Sequence, residues 1–179
     1  PRLVKIPSSI GRLKHLQSLT LYLDDTMTSL PDEIGNLSNL VVLTLGGGKR
    51  ITTLPFIGRL KALQELSIVH LGITSLPPSI GQLKNLQELH LEALDELSSL
   101  PEEIGNLGNL EILDLSHNNL GRLGVETLYG LESLLSLRLN HNSLTQLPAN
   151  LSQHCPRLRN LGETFSVMSR KLNHEPQPP

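Results

Sequence analysis

Four groups of side chains in this sequence carry types that could do chemistry. His117 and His141 stand 24 residues apart. If that interval is a structural period, their imidazoles lie on neighbouring strands about 5 Å apart, with Asp114 and Asn140 close by. Zinc needs three or four ligands converging on one point, and a flat row of strand residues does not supply that. His90, Asp114 and Ser116 are the residue types of a hydrolytic triad, but no oxyanion hole or enclosed pocket accompanies them. Gly46-Gly47-Gly48-Lys49-Arg50 invites a phosphate-loop reading. That pattern needs four residues between its glycines and a Lys-Ser/Thr leading into a helix, whereas Ile51-Thr52-Thr53 follows here. The glycines are expected to relieve crowding at a turn, or to let a partner's backbone approach. Cys155 is the only cysteine, and it is expected to fill a core slot as a small hydrophobe. The expectation is therefore a non-enzyme with no metal and no cofactor.

The elements that hold these residues are repeats. The pattern L-x-x-L-x-L occurs at Leu16-Leu19-Leu21, Leu40-Leu43-Leu45, Leu63-Leu66-Ile68, Leu86-Leu89-Leu91, Leu110-Leu113-Leu115 and Leu134-Leu137-Leu139. A seventh start, Leu158 and Leu161, breaks off at Gly162. Successive copies begin 24, 23, 23, 24, 24 and 24 residues apart. Between them lies L-P-x-x-I-G-x-L, at Leu30 to Leu37, Leu76 to Leu83 and Leu100 to Leu107. A shortened copy runs from Leu54 to Leu60, and Ile6-Pro7…Leu13 puts the start of the chain in mid-repeat. The sixth repeat, with Leu123-Gly124, has no proline.

In each copy the last two leucines are two apart, which places them on one face of a strand. Residues between them point the other way. Each strand offers a ladder edge on both sides that only its neighbours can satisfy. On the return side, proline keeps the preceding residue extended, and glycine after isoleucine is expected to permit a tight or left-handed turn. A short helical or 3-10 segment is expected there.

Over roughly residues 3–161 the sequence resembles the leucine-rich-repeat family. Its L-P-x-x-I-G-x-L variant resembles the repeats of Ras-pathway scaffolds, plant Ras-group-related proteins, plant intracellular immune receptors and some bacterial effectors. The resemblance implies an α/β solenoid, a horseshoe with a parallel sheet on its concave face. It also implies an Asn ladder in the turn after each strand. Asn118 and Asn142 match that position, while Asp24, Gly48, Leu71 and Leu94 occupy it elsewhere. A different backbone course is expected in those earlier turns. Residues 1–161 form the repeat domain on this reading. Residues 162–179 form a flank and disordered tail, in which Phe165 to Met168 fold over the last repeat.

Composition sets further bounds. Aromatics are only 2% of the 179 residues, so leucine and isoleucine must build the core. The net charge of −2 offers no broad basic surface for nucleic acid. One cysteine excludes an intramolecular disulfide and points to a reducing, cytoplasmic setting. No apolar run is long enough to span a bilayer. Sequons at Asn36 and Asn150 fall on the return side and are read as accidental.

Four columns of strand positions are expected to face the concave side. They place Tyr22 and Val69 as apolar anchors and Glu65, Glu88, Glu92 and Asp114 as an acidic centre. His117, Arg138, Asn140 and His141 form a polar end, His90 lies in the second of these columns, and Leu23 falls in the fourth. The expected function is non-catalytic binding of a protein partner with a basic surface, by a chain that is monomeric when free. The alternatives are the substrate-recognition domain of a larger enzyme, such as a ubiquitin ligase, and an extracellular ligand-recognition domain.

Overall fold

The computed structural model describes residues 5–147 and 150–162. The expected flank and tail from residue 163 onward lie outside the described residues. Among the described residues six strands form one open parallel sheet in sequence order. They are β1 (Ser18–Leu23), β2 (Val42–Gly47), β3 (Glu65–Val69), β4 (Glu88–Glu92), β5 (Ile112–Asp114) and β6 (Ser136–Arg138). A single bridge from Ser136 to Asn160 continues the pairing into the seventh copy. Between strands the chain returns through 3-10 segments, such as Asp32–Asn36, Pro78–Gln82 and Glu102–Asn106. One α-helical turn, Leu151–His154, precedes the last bridge. The architecture is the expected solenoid, with the sheet lining the concave side.

The register explains the leucines. Leu19, Leu43, Leu66, Leu89, Leu113 and Leu137 stand opposite one another across all six strands. From Leu43 onward every member of that row is fully buried, while Leu19 in the first strand is half-buried. Branched aliphatic side chains of one size pack each layer against the next, so a large aromatic has no slot to occupy. Cys155 fills its predicted core position and is 1% exposed. Burial raises its thiol pKa, which keeps it an apolar filler.

Proline opens the return segments. Pro7, Pro31, Pro77 and Pro101 each sit in extended backbone immediately before a 3-10 segment. The glycine that follows isoleucine sits in a tight 3-10 turn, one of the two geometries expected, and not in a left-handed one. None of Gly11, Gly35, Gly58, Gly81 or Gly105 adopts a positive φ. What excludes a side chain is the next repeat. A β-carbon on Gly35 would stand 2.5 Å from the Phe56 carbonyl, and one on Gly81 would stand 2.6 Å from that of Glu103. Glycine is there so that repeats can stack closely. Gly72 meets the same demand more severely, because its β-carbon would lie 1.9 Å from the Lys49 carbonyl.

The turns after the strands correct an expectation in part: the Asp24 turn does differ, since Leu23 has no positive φ, but the later turns do not. His70, Ala93, His117 and His141 all adopt left-handed φ, between 53° and 57°. Backbone course at this residue is therefore shared by turns with and without the ladder asparagine. What differs is the stitching. Asn118 accepts a hydrogen bond from the Leu94 N–H (2.9 Å) and donates to the Leu91 and Leu115 carbonyls, both at 2.7 Å. Asn142 does the equivalent for Leu120, Leu115 and Leu139.

A second asparagine ladder on the strand-entry side was missed in the sequence. The Asn39, Asn85 and Asn109 amides donate to the carbonyls of Lys14, Lys61 and Lys84 in the preceding repeat. The ammonium groups of those same lysines reach forward to the Asn36, Gln82 and Asn106 carbonyls. The recurring Leu-x-Asn-Leu just before β2, β4 and β5 carried the signal. These bonds tie the early repeats together where Asn118 and Asn142 have no counterpart.

Candidate functional site

The solvent-facing side of the sheet is built in rows, because parallel pairing sets equivalent residues side by side about 4.8 Å apart. One row runs Ser18, Val42, Glu65, Glu88, Ile112 and Ser136. The next runs Thr20, Thr44, Ser67, His90, Asp114 and Arg138. The third begins Tyr22, Gly46, Val69 and Glu92, and continues past the ends of β5 and β6 with Ser116 and Asn140.

Tyr22 is 83% exposed, the most open large hydrophobic residue described. Its ring lies over Gly46, where a β-carbon would stand 3.0 and 3.2 Å from two ring carbons. Val69 is half-buried beside it. Gly47 has φ 72° and leaves no room for a side chain, since a β-carbon would meet the Leu23 carbonyl at 2.3 Å. The triple glycine thus relieves crowding, as expected, and no helix follows it before the 3-10 segment Ile57–Arg59. Leu23, assigned from the sequence to the concave surface, is instead 7% exposed and belongs to the core. Its turn does not take the left-handed conformation that lifts the equivalent residue outward in later repeats.

Glu65 and Glu88 stand directly opposite on β3 and β4. Like charges so placed repel. Glu88 meets the His90 ring nitrogen at 3.2 Å. Among the described residues no Lys or Arg forms an ion pair with Glu65, Glu88 or Glu92.

Asp114 does not join this open acidic patch. It is 5% exposed. Its Oδ1 accepts from the Ser116 hydroxyl at 2.6 Å and N–H at 3.0 Å, and its Oδ2 accepts from Arg138 at 3.0 Å. Burial alone would raise its pKa. The two Ser116 hydrogen bonds and the Arg138 guanidinium outweigh that and hold it below the ordinary carboxylate range. A depressed folded pKa contributes stability that is present above the unfolded value and lost as pH falls through the folded one. Urea midpoints of wild type should therefore drop more steeply below about pH 4 than those of Asp114→Asn. Parallel curves would show that the carboxylate contributes nothing ionic.

This geometry also dismantles the triad. His90 is in register with Asp114, but both Asp114 oxygens are occupied, and the Ser116 hydroxyl donates to Asp114 rather than to an imidazole. His117 and His141 do come together, with ring centroids 4.1 Å apart and planes 20° from parallel. Stacked rings do not aim their nitrogens at one point. Among the described residues no three His, Cys, Asp or Glu side chains are grouped to hold a metal ion. The polar end is thus a stacked imidazole pair on the rim, with exposed Arg138 and half-buried Asn140 beneath it.

Sequence and structure comparisons agree with the repeat geometry. A family model for a leucine-rich-repeat region matches residues 2–96, and a second leucine-rich-repeat model matches residues 108–162. A leucine-rich-repeat protein of Leptospira interrogans is 33% identical, with a TM-score of 0.60 over 89% of this chain and 52% of its own. The leucine-rich-repeat ectodomain of the Arabidopsis thaliana membrane receptor kinase GASSHO1/SCHENGEN3 was solved with Casparian strip integrity factor 2. It is 25% identical, with a TM-score of 0.72 over 88% of this chain and 19% of its own. TLR13, in complex with the single-stranded RNA ssRNA13, is 30% identical, with a TM-score of 0.73 over 88% of this chain and 22% of its own. The chain therefore spans about half the length of the first relative and about a fifth of the other two. No curated protein sequence matches it. With a family model covering residues 2–96 of its 179, the chain belongs to the leucine-rich-repeat family.

Proposed function

We propose that this chain is a non-catalytic interaction module that grips a protein partner bearing a basic surface on the concave face. The observation that carries the reading is the Glu65–Glu88 pair, two carboxylates in register with which, among the described residues, no Lys or Arg forms an ion pair, and Glu92 nearby. An unbalanced patch costs the free protein some repulsion. A cationic partner relieves it, and the patch steers that partner's approach and fixes its register. The same patch disfavours an anionic ligand of the kind in the TLR13 complex.

In the reading we favour the module works in the cytoplasm as a scaffold, sensor, inhibitor or effector. The single, buried cysteine supports a reducing compartment. A second reading, recognition of an extracellular ligand, is supported by the likeness to a receptor ectodomain. Glycan found on Asn36 of the protein from its native source would favour that second reading.

Charge reversal tests the proposal. Glu88→Lys/Glu92→Lys should fold like wild type, because neither side chain is core, yet capture from cell lysate a stoichiometric partner at least about tenfold less well. The wild-type interaction should also weaken as salt rises. A partner retained equally by both proteins sinks the acidic-face reading.

A further inference from the structure

We infer that the rim of the concave face holds a slot for the guanidinium of an arginine side chain of the protein partner, over Ala93 and between His70 and His117. The inference rests on the basic-partner reading above and goes further by naming the side chain and where it enters.

The slot comes from a row with one ring missing. His70, Ala93, His117 and His141 occupy the same place in four successive turns, one residue past Val69, Glu92, Ser116 and Asn140. All four take left-handed φ between 53° and 57°, so their side chains leave the backbone in the same direction. The N–H groups of His70, Ala93 and His117 each donate to a carbonyl of the next repeat, those of Glu92, Ser116 and Asn140, which fixes the turns side by side. Where two adjacent members both carry imidazoles, the rings stack with centroids 4.1 Å apart. At Ala93 a methyl group stands where the other three carry a ring. His70 and His117 are two repeats apart, about 9–10 Å by strand spacing, with only that methyl group in the row between them. A flat group inserted midway stands about 4.8 Å from each neighbour, near the separation that His117 and His141 already adopt.

Charge decides which flat group enters. Glu92, the residue before Ala93, is exposed, and so are Asp95 and Glu96 just after it. Among the described residues neither Glu92 nor Glu96 forms an ion pair, while Asp95 meets the Lys49 ammonium at 3.4 Å. Three carboxylates against one ammonium leave the surroundings of Ala93 acidic. His70 and Ala93 also wall a hollow of about 80 Å³ together with Lys49, Gly72, Asp95 and Glu96, where the edge of an inserted group meets those carboxylates. A guanidinium is planar and always charged, stacks on aromatic faces and donates hydrogen bonds in its own plane. The imidazoles take its faces and the carboxylates take its edge. A lysine ammonium brings the charge without a face to stack, and a phenyl ring brings the face without the charge.

The test titrates the isotope-labelled protein with acetyl-Gly-Arg-Gly-amide, acetyl-Gly-Lys-Gly-amide and acetyl-Gly-Phe-Gly-amide, and follows the backbone amide signals of His70, Ala93 and His117 by NMR. The expected result is a saturable shift of those signals with the arginine peptide, at an affinity at least about fivefold above that of either other peptide. Ala93→His fills the slot with the chain's own ring. Histidine stands at this place, with this φ, in three other turns, so the variant should keep the wild-type thermal midpoint and bind the arginine peptide about tenfold less well or worse. Glu92→Gln should weaken the arginine peptide and leave the phenylalanine peptide unchanged. Equal affinity for the arginine and lysine peptides, tighter binding of the phenylalanine peptide, undiminished binding to Ala93→His, or no saturable shift overturns the inference. A lysate partner lost by Glu88→Lys/Glu92→Lys but kept by Ala93→His also overturns it, and leaves the acidic-face proposal standing. Arginine-selective binding that Ala93→His abolishes, in a protein whose lysate partner ignores the charge reversal, supports the slot and sinks the acidic-face proposal.

Discussion

Leu113→Ala is expected to lower the unfolding free energy by about 2–5 kcal/mol, the range for a buried leucine reduced to alanine. Leu113 is fully buried and stands opposite Leu89 and Leu137 in the central row of the sheet. Deleting its isobutyl group removes burial and leaves a void, because the register fixes the backbone on both sides and limits collapse. In a one-dimensional stack the loss also weakens coupling to the neighbours. A urea titration should therefore show a lower midpoint and a shallower slope, as repeats beyond β5 begin to open separately. A loss below about 1 kcal/mol with an unchanged slope would mean that the layers relax into the gap, and that the core is softer than its burial indicates.

Asn118→Ala is expected to cost roughly 3 kcal/mol or more, although it deletes only a carboxamide. One side chain serves three backbone groups, the Leu94 N–H and the Leu91 and Leu115 carbonyls, and it is 8% exposed. Each buried polar group left without a partner costs about 1–3 kcal/mol. Asn118→Asp should rescue little. It keeps an acceptor for the Leu94 N–H but turns a carboxylate toward two carbonyls. Asn39→Ala is the control, since its single bond to the Lys14 carbonyl is exposed to solvent, and its cost should stay near about 0.5–1.5 kcal/mol. Equal losses at Asn118 and Asn39, measured by chemical denaturation, would refute the argument that burial of the three groups sets the difference.

The repeat period made the fold legible before any coordinates. Leucines two apart, recurring every 23 or 24 residues, admit one arrangement in which each strand satisfies its neighbour's ladder and each leucine meets its own copy. Asn118 and Asn142 were legible through the resemblance to the leucine-rich-repeat family, which implies a ladder asparagine at that position. The glycines of the return segments were visible, and a tight turn was expected of them, but the main reason for them was not legible. Their spacing marks a special position, yet only the stacked chain shows that a neighbour's carbonyl, and not a left-handed turn, excludes the side chain. Leu23 was misplaced for a related reason: whether the residue after the strand turns outward depends on its φ, which periodicity does not carry.

At the candidate site the division is similar. Alternation along each strand identifies the outward residues, because successive side chains must point to opposite faces. It therefore names Tyr22, Glu65, Glu88, Glu92 and Arg138 correctly as outward. Alternation cannot say what an outward side chain does next. Asp114 folds onto Ser116 and Arg138 and withdraws from the acidic patch, His117 stacks on His141, and the Tyr22 ring lies over Gly46. Each of those pairings joins residues on different strands or across a turn. Their side-chain torsions are chosen by local hydrogen bonds, charge and free space once the repeats are stacked, and none of these leaves a mark in a one-dimensional period.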